Sequence, residues 1–105
     1  MPLNETSVGN QAIDRPIVQF PPKLARQAQL CKALGDEVRL KVLYLVQDQE
    51  VCVCKLIPLL NLPQGTLSHH LGVLQQAGLL SARKQGRMNF YRATPLARKL
   101  LAVIP

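Results

Sequence analysis

The second half of this chain contains no acidic residue. All six acids lie in residues 1–50, where six bases balance them, whereas residues 51–105 carry seven bases and no acid. Charge of one sign is typical of surfaces that meet phosphate backbones, although a solvated basic face without a partner has the same composition. The second half cannot supply paired carboxylates, and the sequence shows no Ser-His-Asp arrangement or glycine-rich phosphate loop, so an enzyme is not expected.

Long apolar runs, a secretory leader and numerous cysteines are also missing. No stretch of about 18 apolar residues occurs, so a membrane-spanning helix is not expected. The N-terminus lacks the cationic start and apolar run of a signal peptide. The three cysteines then belong in a reducing cytoplasm, where structural disulfides are rare. We expect a cytoplasmic protein with one small domain, which would bury more surface by dimerising.

The chain divides into an N-terminal arm and one folded domain. Residues 1–22 mix four prolines with polar residues and show no sustained hydrophobic period, which predicts a flexible arm. Residues 23–105 form the predicted domain. Its first helix is expected to end at Gly35, and Asp36 then caps a second, nearly apolar and central helix. The apolar stripe of the first helix consists of Leu24, Ala28, Cys31 and Leu34.

Two further helices with a turn between them follow. The spacing predicts a short third helix over residues 53–60 and a fourth over residues 64–77, joined by the turn at residues 61–63. Gly65 and Gly72 lie on the outward face of the fourth helix. Each lowers helix propensity by about 1 kcal/mol, which is understandable where another molecule approaches the backbone closely. The inward stripe consists of Leu67, Leu71, Leu74 and Gly78.

A basic hairpin and a last helix complete the domain. Residues 79–84 and 87–92 are predicted to form two strands joined by a turn at Gly86. Thr94, followed by a proline, is expected to cap a last helix over residues 96–103. The bases on the hairpin are Arg83, Lys84, Arg87 and Arg92. The predicted fold is mainly α with a two-stranded β wing, a dimeric winged helix-turn-helix.

These motifs resemble the ArsR/SmtB family of winged-helix metalloregulatory repressors, and in particular its arsenic-responsive branch. The matching motifs cover about two-thirds of the chain and follow one another in the order and with the spacing found in the family. The resemblance implies a homodimer, built through the first and last helices, that binds an inverted repeat in operator DNA. It also implies release when trivalent arsenic or antimony binds, control of arsenical resistance genes, and no organic cofactor. The matching segments are residues 34–40, 50–56, 66–79 and 83–92.

The resemblance assigns the metal-binding role to Cys52 and Cys54, since soft ions prefer thiolate ligands. The arsenic-responsive branch commonly has a third cysteine where this chain has Ile57. Cys31 is either a small buried hydrophobic residue or the missing ligand, and a small-molecule thiol or hydroxide would serve equally. Residues two apart on a regular helix point in nearly opposite directions, so both thiols reach one ion only if the pair lies outside regular helix or unwinds it.

Several alternatives to arsenic sensing remain at this point. Cadmium, lead and copper(I) are also soft ions, and the two thiols would also suit a redox sensor, although Cys-X-Cys closes a strained ring. Zinc is less expected, because the family's zinc site on the last helix needs Asp, His and Glu ligands, and none follows His70. A DNA-binding module that ignores metals, a chance pair of buried thiols and a thiol-dependent enzyme are the remaining possibilities.

We expect the fourth helix and the wing to contact DNA. The N-terminal turns of the helix should enter the major groove, where Gly65 permits close approach. The wing should meet phosphate or the minor groove, which adds affinity more than sequence information. His70 flanks the apolar stripe and is expected to have a packing or capping role. The predicted DNA contacts are Gln64, Gly65, Thr66, Ser68 and His69 on the helix and Arg83, Lys84 and Arg87 on the wing.

Overall fold

The computed structural model describes residues 17–105, which form five helices and three strands. The helices are α1 (Leu24–Leu34), α2 (Glu37–Val46), α3 (Val53–Leu60), α4 (Gln64–Gln76) and α5 (Pro95–Val103). The strands are β1 (Val51–Cys52), β2 (Leu80–Gln85) and β3 (Met88–Ala93). Most of the arm predicted for residues 1–22 lies outside the described residues. No helix in the described part of the chain combines the length and hydrophobicity needed to cross a membrane.

The predicted helix starts are confirmed by their caps. A carboxylate oxygen of Asp36 accepts hydrogen bonds from the backbone N–H groups of Val38 and Arg39, at 2.8 and 3.1 Å, at the start of α2. At the start of α5, the hydroxyl of Thr94 accepts from the N–H of Ala97 at 3.2 Å. Both side chains satisfy N–H groups that the helix itself leaves without partners.

The core lies where α2, α3 and α4 meet the sheet. The inward leucines predicted for α4 are buried, and Leu67 and Leu74 are fully so. Gly78, placed on the same stripe, follows α4 with a φ of 77°, a conformation that favours glycine. The other fully buried large side chains are Val42, Leu43, Val46, Leu56 and Leu79. The apolar face of α4 is therefore anchored firmly on the core.

The predicted packing of α1 is wrong for three of its four stripe residues. The helix buries Ala33 and packs Leu30 and Leu34 partly against the core, whereas Ala28 and Cys31 are exposed, as is Leu24 at 47%. A small buried role for Cys31 is therefore contradicted in the single chain. The packed face of α1, which meets α2 and α4, is rotated from the predicted stripe and shares only Leu34 with it.

The sheet contains one strand, β1, beyond the two predicted for the wing. The sheet has the order β1-β3-β2 with both pairs antiparallel. No sequence pattern predicted β1, because two residues are too few to show alternation. The predicted hairpin is otherwise confirmed with both strands starting one residue later. Gln85 pairs with Met88, which leaves Gly86 and Arg87 as a two-residue turn, and Gly86 has the positive φ of 61° that such turns need.

Candidate functional site

The start of α4 presents an exposed polar surface. The predicted contacts Gln64, Gly65, Thr66, Ser68 and His69 are all exposed, whereas Leu67 between them is fully buried. The first turn of α4 contains no acidic residue. The free N–H groups and the positive end of the helix dipole therefore face outward beside polar side chains, an arrangement suited to phosphate oxygens and base acceptors.

A polar cluster that sequence reasoning missed fixes the position of α4. Nη1 of Arg39 lies 3.2 Å from Nδ1 of His70, and that nitrogen lies 4.0 Å from a carboxylate oxygen of Asp36. Arg39 also donates from Nε to the carbonyl of Ala33 at 2.7 Å and from Nη2 to that of Lys32 at 3.1 Å. His70 thus has the predicted packing role. A lone arginine in the nearly apolar α2 was the available signal for this cluster.

The same cluster shifts the ionisation of the capping carboxylate. The backbone N–H of Arg39 hydrogen-bonds Asp36 and is the largest cause that lowers the pKa of that carboxyl, and the charge of the Arg39 side chain acts in the same direction. Asp36 therefore keeps its charge to a lower pH than an ordinary aspartate does, and that charge stabilises the N-terminus of α2.

The wing bases fall into two groups. Lys84 and Arg87 are exposed, and within residues 17–105 neither forms an ion pair with a carboxylate. Arg83 differs, because its guanidinium binds Glu50, with Nε 3.0 Å and Nη2 2.9 Å from carboxylate oxygens. The hydrogen bond from Arg83 lowers the pKa of Glu50, and Glu50 raises that of Arg83. Among the described wing bases, Lys84, Arg87 and Arg92 thus have no carboxylate partner, whereas Arg83 has one.

The predicted thiol pair lies at the junction of β1 and α3. Cys52 is the last residue of β1 and caps α3 with extended backbone, at φ −65° and ψ 141°, whereas Cys54 is exposed in the first helical turn. The two Cα atoms are 5.2 Å apart, and the sulfurs are joined as a disulfide. The structure therefore has the pair in a bridged state, and the bonded sulfurs mark the positions from which two thiolates of the reduced protein would bind an ion. Because Cys52 precedes the helix, both sulfurs converge on one point without any helix being unwound.

A soft ion would find two thiolates here but no third protein ligand. The described residues contain no group of three or more His, Cys, Asp and Glu side chains that could hold a metal ion. Cys31 lies exposed on α1 and is not brought to the pair. A cavity of about 240 Å³ opens beside Cys52, with Gln49, Lys55 and Phe90 in its wall. The residues therefore fit a two-thiolate chelate with space for a small external ligand.

Several known proteins are similar to this chain in sequence. Residues 36–82 match the family profile described as "Bacterial regulatory protein, arsR family". An uncharacterized HTH-type transcriptional regulator of Methanocaldococcus jannaschii is 47% identical over 70 residues, which are 66% of this chain and 79% of that protein. The arsenical resistance operon repressor of Escherichia coli is 44% identical over 68 residues, and the cadmium resistance regulator CadC homolog of Staphylococcus aureus is 35% identical over 65. These stretches are 64% and 61% of this chain but only 58% and 54% of the two resistance regulators.

Solved structures are similar to the chain over most of its length. HlyU from Vibrio cholerae superposes with a TM-score of 0.72 at 30% identity, covering 80% of this chain and 92% of HlyU. A homodimeric winged helix-turn-helix DNA-binding domain from Mycobacterium bovis, described as a possible ArsR-family transcriptional regulator, gives 0.73 at 28% identity and covers 84% and 85%. The fold is therefore a winged helix-turn-helix in which α4 is the recognition helix and β2 and β3 form the wing.

Proposed function

The chain belongs to the arsR family of bacterial regulatory proteins, and from that premise we propose that it is a cytoplasmic repressor released from its operator by trivalent arsenic or antimony. The family consists of transcriptional regulators, so the protein is not an enzyme. It binds operator DNA as a homodimer, with α4 in the major groove and the wing on the phosphate backbone. The observation that carries the choice of inducer is the convergence of the Cys52 and Cys54 sulfurs at the start of α3.

The exposed apolar residues support a dimer built from α1 and α5. Leu24 is 47% exposed on α1, and Val103 is 74% exposed at the end of α5. Apolar side chains exposed on α1 and α5 are stabilised when a second copy covers them. Such an interface places two recognition helices on one side of the molecule, where they meet successive major grooves of an inverted repeat.

The ligand chemistry supports trivalent arsenic or antimony as inducer. Both form bonds with thiolates, and the arsenical resistance operon repressor of Escherichia coli is a relative at 44% identity. A small-molecule thiol or hydroxide in the cavity beside Cys52 supplies the third bond. Cadmium is the second candidate inducer, because the cadmium regulator of Staphylococcus aureus is also a relative at 35% identity.

The position of the pair supports its coupling to DNA. An ion held by both sulfurs ties the last residue of β1 to the first turn of α3. β1 pairs with the wing strand β3, and α3 leads through residues 61–63 into α4. The ion therefore acts on both elements that meet DNA. Coupling free energies of this kind are about 1–3 kcal/mol, which corresponds to a fall in operator affinity of about 5- to 150-fold.

The first test is release from operator-like DNA measured by fluorescence anisotropy. For the reduced wild type we expect arsenite and antimonite to lower affinity within the range given for the coupling. A Cys52→Ser/Cys54→Ser variant should bind the same DNA equally well and ignore both ions. Cys31→Ser is the matched control and should respond like the wild type. Release of the double variant by arsenite would reject the assignment of the ligands, and release by cadmium alone would change the inducer.

The salt dependence of operator binding tests the role of the wing. Arg87→Gln should reduce the slope of log affinity against log salt by about one unit, because one phosphate contact and its released counterion are lost. The reduction should be the same for different DNA sequences, since a phosphate contact carries no base information. Lys99→Gln on α5 serves as the control and should leave the slope unchanged. An unaltered slope for Arg87→Gln would count against its contact with phosphate.

A further inference from the structure

We propose that Glu50 and operator phosphate compete for Arg83, and that bridging of the two thiols favours Glu50. The inference rests on the proposed function, since it describes how the state of the thiol pair reaches the DNA surface. Glu50 is then a positioning residue of the switch. When the sulfurs are joined, it holds Arg83 against the protein. When the thiols are free, Arg83 is available to the DNA backbone.

One row of the sheet connects the thiol pair with the wing. Cys52 of β1 lies opposite Phe90 of β3, and Phe90 lies opposite Arg83 of β2. The guanidinium carbon of Arg83 is 4.9 Å from the centroid of the Phe90 ring, a cation–π distance. Cys52, a proposed ligand of the ion, and Arg83, a base of the wing, thus lie in one row across the sheet, separated only by Phe90.

The carboxylate of Glu50 connects the two ends of this row directly. Glu50 precedes β1 and lies two residues before Cys52, so its position follows that of the thiol. It receives Nε and Nη2 of Arg83 in a bidentate pair, while Nη1 donates to Gln85 at 2.9 Å. All three nitrogens of the guanidinium are therefore engaged inside the protein. One N–H on each of Nη1 and Nη2 remains, but a phosphate finds the bidentate Nε–Nη2 edge of Arg83 already occupied by Glu50.

The contact is weak enough to be switched. The side chains of Arg83 and Glu50 are 50% and 35% exposed, so water screens the pair, and a phosphate can replace the carboxylate as partner. β1 has only two residues, so its backbone pairing with β3 is short, although both residues are buried. In the proposal, a displacement of Cys52 moves Glu50 with it and changes which anion binds Arg83.

The salt slope of operator binding tests this inference with both thiol states prepared separately. Reduced protein provides the free thiols. Bridged protein is prepared once with arsenite and once with diamide, which accepts two electrons and two protons as the dithiol becomes a disulfide. For the wild type, bridging should reduce the slope by about one unit, because one phosphate contact is withdrawn. In Glu50→Gln the slope should be equal in both states, and the bridged protein should bind DNA more tightly than bridged wild type.

Two further variants separate this role from a structural one. Arg83→Gln should have, in both thiol states, the reduced salt slope expected for bridged wild type. Adding Glu50→Gln to this variant should not change the slope further, because the two residues act through one contact. Glu37→Gln is the matched control, since Glu37 forms an ion pair with Lys41 at 3.5 Å on α2, away from the wing. It should behave like the wild type.

The outcomes separate the inference from the proposed function. A Glu50→Gln slope that still falls on bridging by diamide would overturn the inference. If arsenite leaves the reduced wild type on DNA while diamide lowers the wild-type slope and not that of Glu50→Gln, the inducer assignment fails and the competition for Arg83 stands. If neither treatment changes the wild-type slope, the competition is rejected as well.

Discussion

Replacing Leu74 with alanine is expected to lower the free energy of unfolding by about 2–5 kcal/mol, the range for truncation of a fully buried leucine. Leu74 is 0% exposed and belongs to the inward stripe that fixes α4 on the core. Alanine leaves a cavity that the surrounding side chains fill only in part. Because native domains are stable by about 5–15 kcal/mol, the variant should fold but be markedly weakened. Urea unfolding followed by circular dichroism, at fixed protein concentration, measures the change.

The neighbouring residue provides the control for this experiment. Gln75 is exposed on the same helix, so Gln75→Ala should alter the free energy of unfolding by no more than about 0.5 kcal/mol. Operator binding by Leu74→Ala should fall with the folded fraction, since the residue lies under the recognition surface. A loss of less than about 1 kcal/mol in Leu74→Ala would mean that the packing of α4 is looser than the structure indicates.

Local signals determined most of the fold. Asp36 and Thr94 mark helix starts through a chemistry that acts within three residues, so their caps could be predicted without knowledge of the tertiary structure. The leucine stripe of α4 and the Gly86 turn are equally local. Where propensity, hydrophobic period and turn chemistry agreed, the predicted and observed elements differ by one residue or less.

Contacts between distant segments were the features that could not be predicted. The ion pair of Arg83 with Glu50 joins positions 33 residues apart, and nothing in either local sequence indicates the other. The short β1 exists because β3 offers it a partner. The face that α1 packs on the core also depends on where α2 and α4 lie, so the exposure of Cys31 could not be read from the spacing of its own helix.

The candidate metal ligands were also predictable from local sequence only in part. The pair Cys52 and Cys54 was identified from sequence, but its ability to grip one ion depends on where α3 begins. Helix geometry left two possibilities, a pair before the first turn or a pair that unwinds it. The structure has the first of these, since Cys52 is extended and its sulfur accepts the N–H of Cys54 at 3.2 Å. An ion can therefore bind while α3 keeps its full length.

A bulky side chain at Gly65 is expected to separate DNA binding from stability. A Cβ atom added to Gly65 would meet nothing within 4 Å inside the protein, and the residue is exposed in the first turn of α4. Gly65→Leu should therefore keep or raise the free energy of unfolding, because leucine is the better helix former. Operator affinity should fall by about 10- to 100-fold, the equivalent of displacing one good base contact of about 1–3 kcal/mol. Anisotropy titration at fixed salt measures the loss.

Gly72 provides the control that shows whether the loss of affinity depends on a bulky side chain at the N-terminal end of α4. A Cβ atom there also meets nothing within 4 Å, and the residue lies seven positions further along the same helix. Gly72→Leu should give a similar gain in stability, but it lies two turns beyond the end that enters the groove, so its loss of affinity should be much smaller. Equal losses from both variants would mean that DNA approaches α4 along its whole length. If Gly65→Leu bound the operator as tightly as the wild type, the N-terminal turn of α4 would not be the part that enters the groove.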